Sequence, residues 1–216
     1  MPGPAPPWGG VGQTARVFVK ICGLRTPSDV DVAVAAGADA IGLVMSPRSP
    51  RHVSGGLARE LVEHLAGRAT SVLVVNDLAV GAALEQVVAL GVDVLQLHGP
   101  AYDAAAHAAA RAAGVRTWRA TSLALDPSPE VGSQGEEALL LDSPVPGSGH
   151  RWAAADLAVR PTGPWLLAGG LDPSNVAAAI AELDPWGVDV SSGVEATRGV
   201  KDHDLVRAFV AAARAS

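Results

Sequence analysis

A chain of 216 residues with 49% hydrophobic and 18% charged side chains is too apolar to stay disordered and long enough to bury one sizeable core. Sixteen basic against 22 acidic residues, a net charge of −6, exclude a general pull toward nucleic acid or anionic membrane. A single cysteine, Cys22, excludes an internal disulfide framework and a cysteine-based zinc site, and the longest apolar runs fall far short of the ~20 residues that span a bilayer.

Met1 to Thr14 hold four prolines, four glycines and no charge, without the basic start and apolar core of a signal peptide. Residues 1–15 are expected to be a flexible leader. No strand precedes Gly9-Gly10-Val11-Gly12, so that stretch fails as a phosphate loop. From Arg16 onward short β-type runs alternate with alanine-rich helical segments, and residues 16–216 read as one domain. Val17 to Cys22 predicts the first strand. Pro27 to Ala36 predicts a helix, with Thr26 at the N-cap and Pro27 at its first position. Strands follow at Ala40 to Met45, Thr70 to Val75, Val94 to His98 and Val115 to Ala120. The helices between them cover about 57–65, 80–90 and 102–113. Thr121 to Gly135 is rich in Pro, Ser and Gly, so the helix after the fifth strand should be short or degraded. Ala138 to Asp142 and Trp165 to Ala168 are the sixth and seventh strands, with a loop at Pro144 to Gly149 between them. A helix beginning at Asp172-Pro173-Ser174 runs to about Leu183. Val188 to Val190 is the eighth strand and Asp202 to Ala213 the last helix. Eight such units over about 200 residues predict an α/β fold, a single parallel (β/α)₈ TIM barrel. A doubly wound open sheet needs fewer strands.

In a barrel the strand ends share one rim, where active sites are built. Cys22 ends the first strand just before Gly23. It reads either as a small buried hydrophobe or as a thiolate acting as base or nucleophile once a neighbour lowers its pKa. Ser46-Pro47-Arg48-Ser49-Pro50-Arg51 follows the second strand, a proline-stiffened loop whose arginines are solvated or grip a carboxylate with a paired guanidinium. Asp142 ends the apolar sixth strand. Partial desolvation there would raise its pKa and make it a proton donor, placed across the mouth from Cys22. Ala168-Gly169-Gly170-Leu171 and Ser191-Ser192-Gly193-Val194 supply close-approaching backbone after strands seven and eight, where such barrels commonly bind phosphate. The six histidines show no metal-ligand spacing. His98, ending the fourth strand, lines the pocket or is structural. Only two of the sixteen bases are lysines, Lys20 and Lys201.

These motifs together resemble the phosphoribosylanthranilate isomerase family, from about Val17 to the C-terminus. The carrying segments include Val19-Lys20-Ile21-Cys22-Gly23, Gly37 to Gly42, Ser46 to Ser54, Gln96-Leu97-His98-Gly99, Leu140-Leu141-Asp142 and Gly147-Ser148-Gly149. Ala168 to Leu171, Val188 to Glu195 and Gly199-Val200-Lys201-Asp202 complete them. Each is unspecific alone, but in this order they are highly specific. The resemblance implies an Amadori rearrangement of N-(5-phosphoribosyl)anthranilate in tryptophan biosynthesis, with Cys22 as base and Asp142 as acid. It assigns Arg51 to the anthranilate carboxylate, and the backbones of Gly169, Gly170, Ser192 and Gly193 to the phosphate. Asp189 enters as a supporting pocket residue. It implies no cofactor and no metal, since the substrate nitrogen is the electron sink. The partner is a phosphorylated sugar–anthranilate, with no nucleic acid and no membrane, in a cytoplasmic monomer or homodimer. The loop after the sixth strand departs from the family pattern. Pro146 stands for a glycine, Trp152 for a Phe, and Ala153-Ala154 for an Asp-Trp pair. Altered kinetics are expected from this, not lost function. The histidine-pathway sugar isomerase is the nearest rival, but that family ends its first strand in a carboxylate where this chain has Cys22. A non-catalytic phosphate-binding barrel would need neither acid nor base.

Overall fold

The computed structural model describes residues 16–143, Trp152, Leu157 and 160–216; the expected leader and most of the loop after the sixth strand lie outside these. Eight parallel strands close into a barrel in sequence order. They are β1 (Phe18–Cys22), β2 (Ala40–Val44), β3 (Thr70–Val75), β4 (Val94–His98), β5 (Thr117–Ser122), β6 (Ala138–Asp142), β7 (Trp165–Leu167) and β8 (Gly187–Val190). Closure is made by β1 on β8, with Lys20 in register with Asp189. The outer helices are α1 (Pro27–Ala36), α2 (Gly55–Leu65), α3 (Val80–Leu90), α4 (Ala104–Ala112), α5 (Val176–Leu183) and α6 (His203–Arg214). The TIM-barrel expectation is thereby met. No helix among the described residues is long and apolar enough to cross a membrane.

Side-chain alternation along each strand divides the core in two. One set, including Ile21, Ile41, Leu43, Leu73, Leu95 and Leu139, packs outward against the helices. The other, including Phe18, Val72, Val94, Trp118, Leu140 and Leu166, fills the barrel interior. Interior packing is aromatic at the bottom, where Phe18 stacks on Trp186 with centroids 4.4 Å apart. Toward the C-terminal rim the inward positions turn polar. Lys20, Gln96 and Asp189 are all buried there.

Local chemistry accounts for the element ends that the sequence pattern misplaces. Helix α4 begins at Ala104, not Tyr102, because the Asp103 carboxylate accepts from the Ala106 amide at 3.1 Å and caps it. Tyr102 instead donates its hydroxyl to the Leu78 carbonyl. Helix α5 starts at Val176 because the Asp172 carboxylate takes up the Ser174 amide at 2.7 Å. That side-chain turn competes with the first helical turn. The fifth strand lies two residues later than expected, which carries Ser122 to the rim beside Asp142. No helix follows it. Arg119 points outward and fills that side with hydrogen bonds to Glu136 and Asp126, each 2.8 Å, and to the Glu130 carbonyl at 3.0 Å. A buried arginine so fully paired replaces apolar helix packing with a polar cluster. A short hairpin, β9 (Glu195–Thr197) and β10 (Val200–Lys201), was not anticipated and stands over the rim beside β8.

Candidate active site

A cavity of about 950 Å³ opens at the C-terminal rim. Cys22 from the end of β1 and Asp142 from the end of β6 both line it, with His98, Gln96, Asp189 and Arg51. Strands β1 and β6 are separated round the ring by β7 and β8. The thiol and the carboxyl therefore face the cavity from different sides.

Burial governs both groups. It pushes the Asp142 carboxyl above its ordinary range, with Asp189 adding to the rise, while the Ser143 amide and His98 pull the other way. A carboxyl so placed holds its proton to higher pH and can deliver it. Burial likewise pushes the Cys22 thiol up, opposed first by Lys20 and then by Lys201, with Asp189 again adding to the rise. Burial lowers the pKa of the His98 imidazole, with Asp142 and Asp189 pulling it back up. The Gln96 carbonyl oxygen is buried without a hydrogen-bond partner in a residue 2% exposed. The residue itself lines the cavity.

Arg51 reaches the site held by the protein itself. Its Nε and Nη2 donate to the two carboxylate oxygens of Glu195 at 2.6 and 2.9 Å. Glu195 also accepts from Lys201 at 3.1 Å and from the Gly199 amide at 3.0 Å. One edge of the guanidinium is thus fixed by the hairpin, and the end-on edge bearing Nη1 is left for a second carboxylate.

The glycine loops divide by role. Gly169 and Gly170 both hold left-handed backbone, φ +77° and +70°, and both line the cavity. A Cβ on Gly169 would lie 2.1 Å from an Asp142 carboxylate oxygen and 2.5 Å from the Ser143 amide nitrogen. Absence of a side chain there makes room for the acid. Ser192 lines the cavity, but Gly193 is not among its lining residues. A Cβ on Gly193 would fall 1.9 Å from the Leu171 carbonyl oxygen. Gly193 serves the packing of the β8 turn against the β7 loop.

The family model described as N-(5'phosphoribosyl)anthranilate (PRA) isomerase matches residues 19–212. The chain belongs to this family. Among curated relatives, the N-(5'-phosphoribosyl)anthranilate isomerase of Leptothrix cholodnii is 44% identical, over 93% of this chain and 92% of that protein. That of Haloferax volcanii is 41% identical, over 91% and 92%. Among solved structures, TrpF from Jonesia denitrificans is 51% identical with a TM-score of 0.85, covering 91% of this chain and 96% of its own. The Thermotoga maritima phosphoribosyl anthranilate isomerase is 30% identical at a TM-score of 0.79, over 91% and 98%. As a phosphoribosylanthranilate isomerase, the chain is an enzyme of tryptophan biosynthesis that isomerises N-(5'-phosphoribosyl)anthranilate.

Of the residues expected from sequence, this isomerase brings Cys22, Asp142, Arg51, Gly169, Gly170, Ser192 and Asp189 to one cavity. Asp189 is bound to Lys20 at 2.6 Å. Trp152, one of the residues that depart from the family pattern, is buried, and its indole donates to the Ala168 carbonyl at 2.7 Å. Among the polar residues in or beside the site that were not singled out are Lys20, Gln96, Glu195 and Lys201. Lys20 and Gln96 carried a signal. Each lies two residues before a recognised rim residue, Cys22 and His98, and so shares its inward face.

Proposed function

We propose that the isomerisation proceeds by general acid–base catalysis between Asp142 and Cys22. The carboxylic acid of Asp142 gives its proton to the furanose ring oxygen. The C1′–O bond breaks as the anthranilate nitrogen's lone pair forms a C1′=N bond, and the ring opens to a Schiff base. The Cys22 thiolate then takes the C2′ proton. The released electron pair forms C1′=C2′, and the C=N pair returns to nitrogen, leaving an enolamine that tautomerises to the ketone. Two catalytic groups on separate strands suit a reaction that protonates one atom and deprotonates another. The observation that carries this reading is the pair itself, a buried thiol and a half-buried carboxyl whose pKa is raised by desolvation, facing one cavity.

The end-on edge of Arg51 takes the anthranilate carboxylate. Backbone amides of Gly169, Gly170, Ser192 and Gly193 take the phosphate, with Gly193 also packed against the Leu171 carbonyl behind it. Support for the phosphate end is the run of left-handed glycine backbone at the rim after β7. One related structure is described as monomers generated from the dimeric Thermotoga maritima isomerase. The groups used in this reading all lie on one chain, which suits a monomer or a homodimer, and a biosynthetic role suits the cytoplasm. The test is turnover of phosphoribosylanthranilate followed by its fluorescence, beside the histidine-pathway substrate. Cys22→Ala and Asp142→Asn should each lower kcat by about 10²–10⁴-fold with product-analogue binding near normal. If either variant keeps more than about a tenth of the activity, that residue is not the acid or base.

A further inference from the structure

We propose that Lys20 is the built-in counter-ion of the Cys22 thiolate, moored beneath the cavity by Asp189, and that β2 carries a glycine at position 42 to leave the two groups room. The proposal rests on the reading of Cys22 as the base and adds the residue that makes such a base attainable in a buried site.

Three observations converge. Lys20 and Cys22 lie two residues apart on β1, so both side chains project into the barrel. Lys20 is fully buried, and its Nζ donates to Asp189 of β8 at 2.6 Å. Second, the neighbouring strand is cut away beside them. Gly42 of β2 is in register with Cys22. A Cβ placed there would lie 2.8 Å from the Cys22 Sγ and 3.2 Å from the Lys20 Nζ. Thiol and ammonium therefore share one small space, and a strand-interior glycine, ordinarily a cost to a sheet, marks a close approach. Third, fourteen of the sixteen basic residues are arginine, and the two lysines, Lys20 and Lys201, are both buried at this end of the barrel. A compact ammonium fits beside a sulfur where a planar guanidinium does not.

The charge arrangement agrees with the geometry. Burial alone would lower the pKa of the Lys20 ammonium, but Asp189 and Cys22 outweigh it and hold the group above its ordinary range. For the thiol, burial is the main obstacle to ionisation, and Lys20 is the largest influence against it. Lys201 of β10 acts in the same direction and Asp189 of β8 against. His98 of β4 and Asp142 of β6 line the same cavity, and Arg51 is already tied to Glu195. Lys20 acts through Cys22, so it is a positioning residue.

Because the chain has one cysteine, the ultraviolet absorbance of the thiolate against pH reports Cys22 alone, with the Cys22→Ser protein as blank. Lys20→Met should move the midpoint up by about one pH unit or more. Asp189→Asn should move it down, because the ammonium is left with the thiolate as its partner. In Lys20→Met the plateau kcat/KM should fall by about 3- to 10-fold per unit of midpoint rise, a weaker thiolate population offset in part by its greater basicity. A purely structural role would damage both variants alike. The double variant Lys20→Met/Asp189→Asn, which leaves no uncompensated charge, checks that the rise survives in a protein without an unpaired carboxylate. An unmoved midpoint in Lys20→Met and the double variant, or movement in the same direction for Lys20→Met and Asp189→Asn, overturns the proposal. Failure of the base assignment is separately visible as turnover by Cys22→Ser, which the absorbance titration does not depend on.

Discussion

Replacing Gly169 with alanine should separate the cost of bending the backbone from the cost of moving the acid. The residue holds φ +77°, where a side chain costs about 1–2 kcal/mol. For a chain of this size that corresponds to a drop in Tm of about 2–8 °C. The new Cβ would also meet an Asp142 oxygen at 2.1 Å and the Ser143 amide nitrogen at 2.5 Å, so Asp142 must retreat by roughly 1 Å to restore ordinary contact. Misplacing a catalytic group by that much costs about 100-fold in rate. Gly91, at the end of α3, is the matched control. Its φ is +67° and nothing lies within 4 Å of an added Cβ. Gly91→Ala should therefore show a similar strain-driven fall in Tm with kcat unchanged, while Gly169→Ala loses about two orders of magnitude in kcat. Thermal melts by circular dichroism and steady-state turnover measure both. A Gly169→Ala enzyme with full kcat would show that the placement of Asp142 does not depend on the space beside it.

The barrel was legible because each strand is a short apolar run between turn residues, and because a closed parallel sheet buries both faces. The rim residues were legible for a related reason. Cys22, His98 and Asp142 are the polar full stops of apolar strands. What stayed hidden depends on contacts between segments far apart in sequence. Glu195 holds Arg51 across 144 residues, and Lys20 meets Asp189 across 169. Neither pairing leaves a periodic trace. The β9–β10 hairpin is too short to show a pattern, and the polar cluster around Arg119 stands where a helical period was sought. Gly193 carries a packing reason that the sequence did not show: a Cβ there would fall 1.9 Å from the Leu171 carbonyl oxygen.

Two further expectations concern pH and the guanidinium clamp. The proposed mechanism needs Asp142 protonated and Cys22 ionised, and burial raises both groups. With the carboxyl titrating before the thiol, that doubly matched form is a constant fraction between the two midpoints and falls on either side. The kcat/KM profile should be bell-shaped, its acid limb displaced above the ordinary carboxyl range, and Asp142→Asn should abolish the alkaline fall; an alkaline limb that persists in Asp142→Asn would remove Asp142 from the role of acid. Glu195→Gln keeps the shape behind Arg51 but removes the charge that fixes its edge. KM should rise by about tenfold with kcat little changed, because the clamp orients a part of the substrate that does not react. The same variant has a signature in stability. Burial pushes the Glu195 carboxyl up, but Arg51, the Gly199 amide and Lys201 outweigh it and hold the group below its ordinary value. A group depressed in the folded state contributes stability above its unfolded pKa of about 4.3 and loses it as pH falls toward the folded value. Glu195→Gln should therefore lower Tm at neutral pH and flatten the fall in Tm below about pH 4.3. An unchanged KM would mean that the Glu195 clamp does not position Arg51 for the substrate, and an unaltered acid slope would mean that the Arg51–Glu195 pair adds nothing to folding stability.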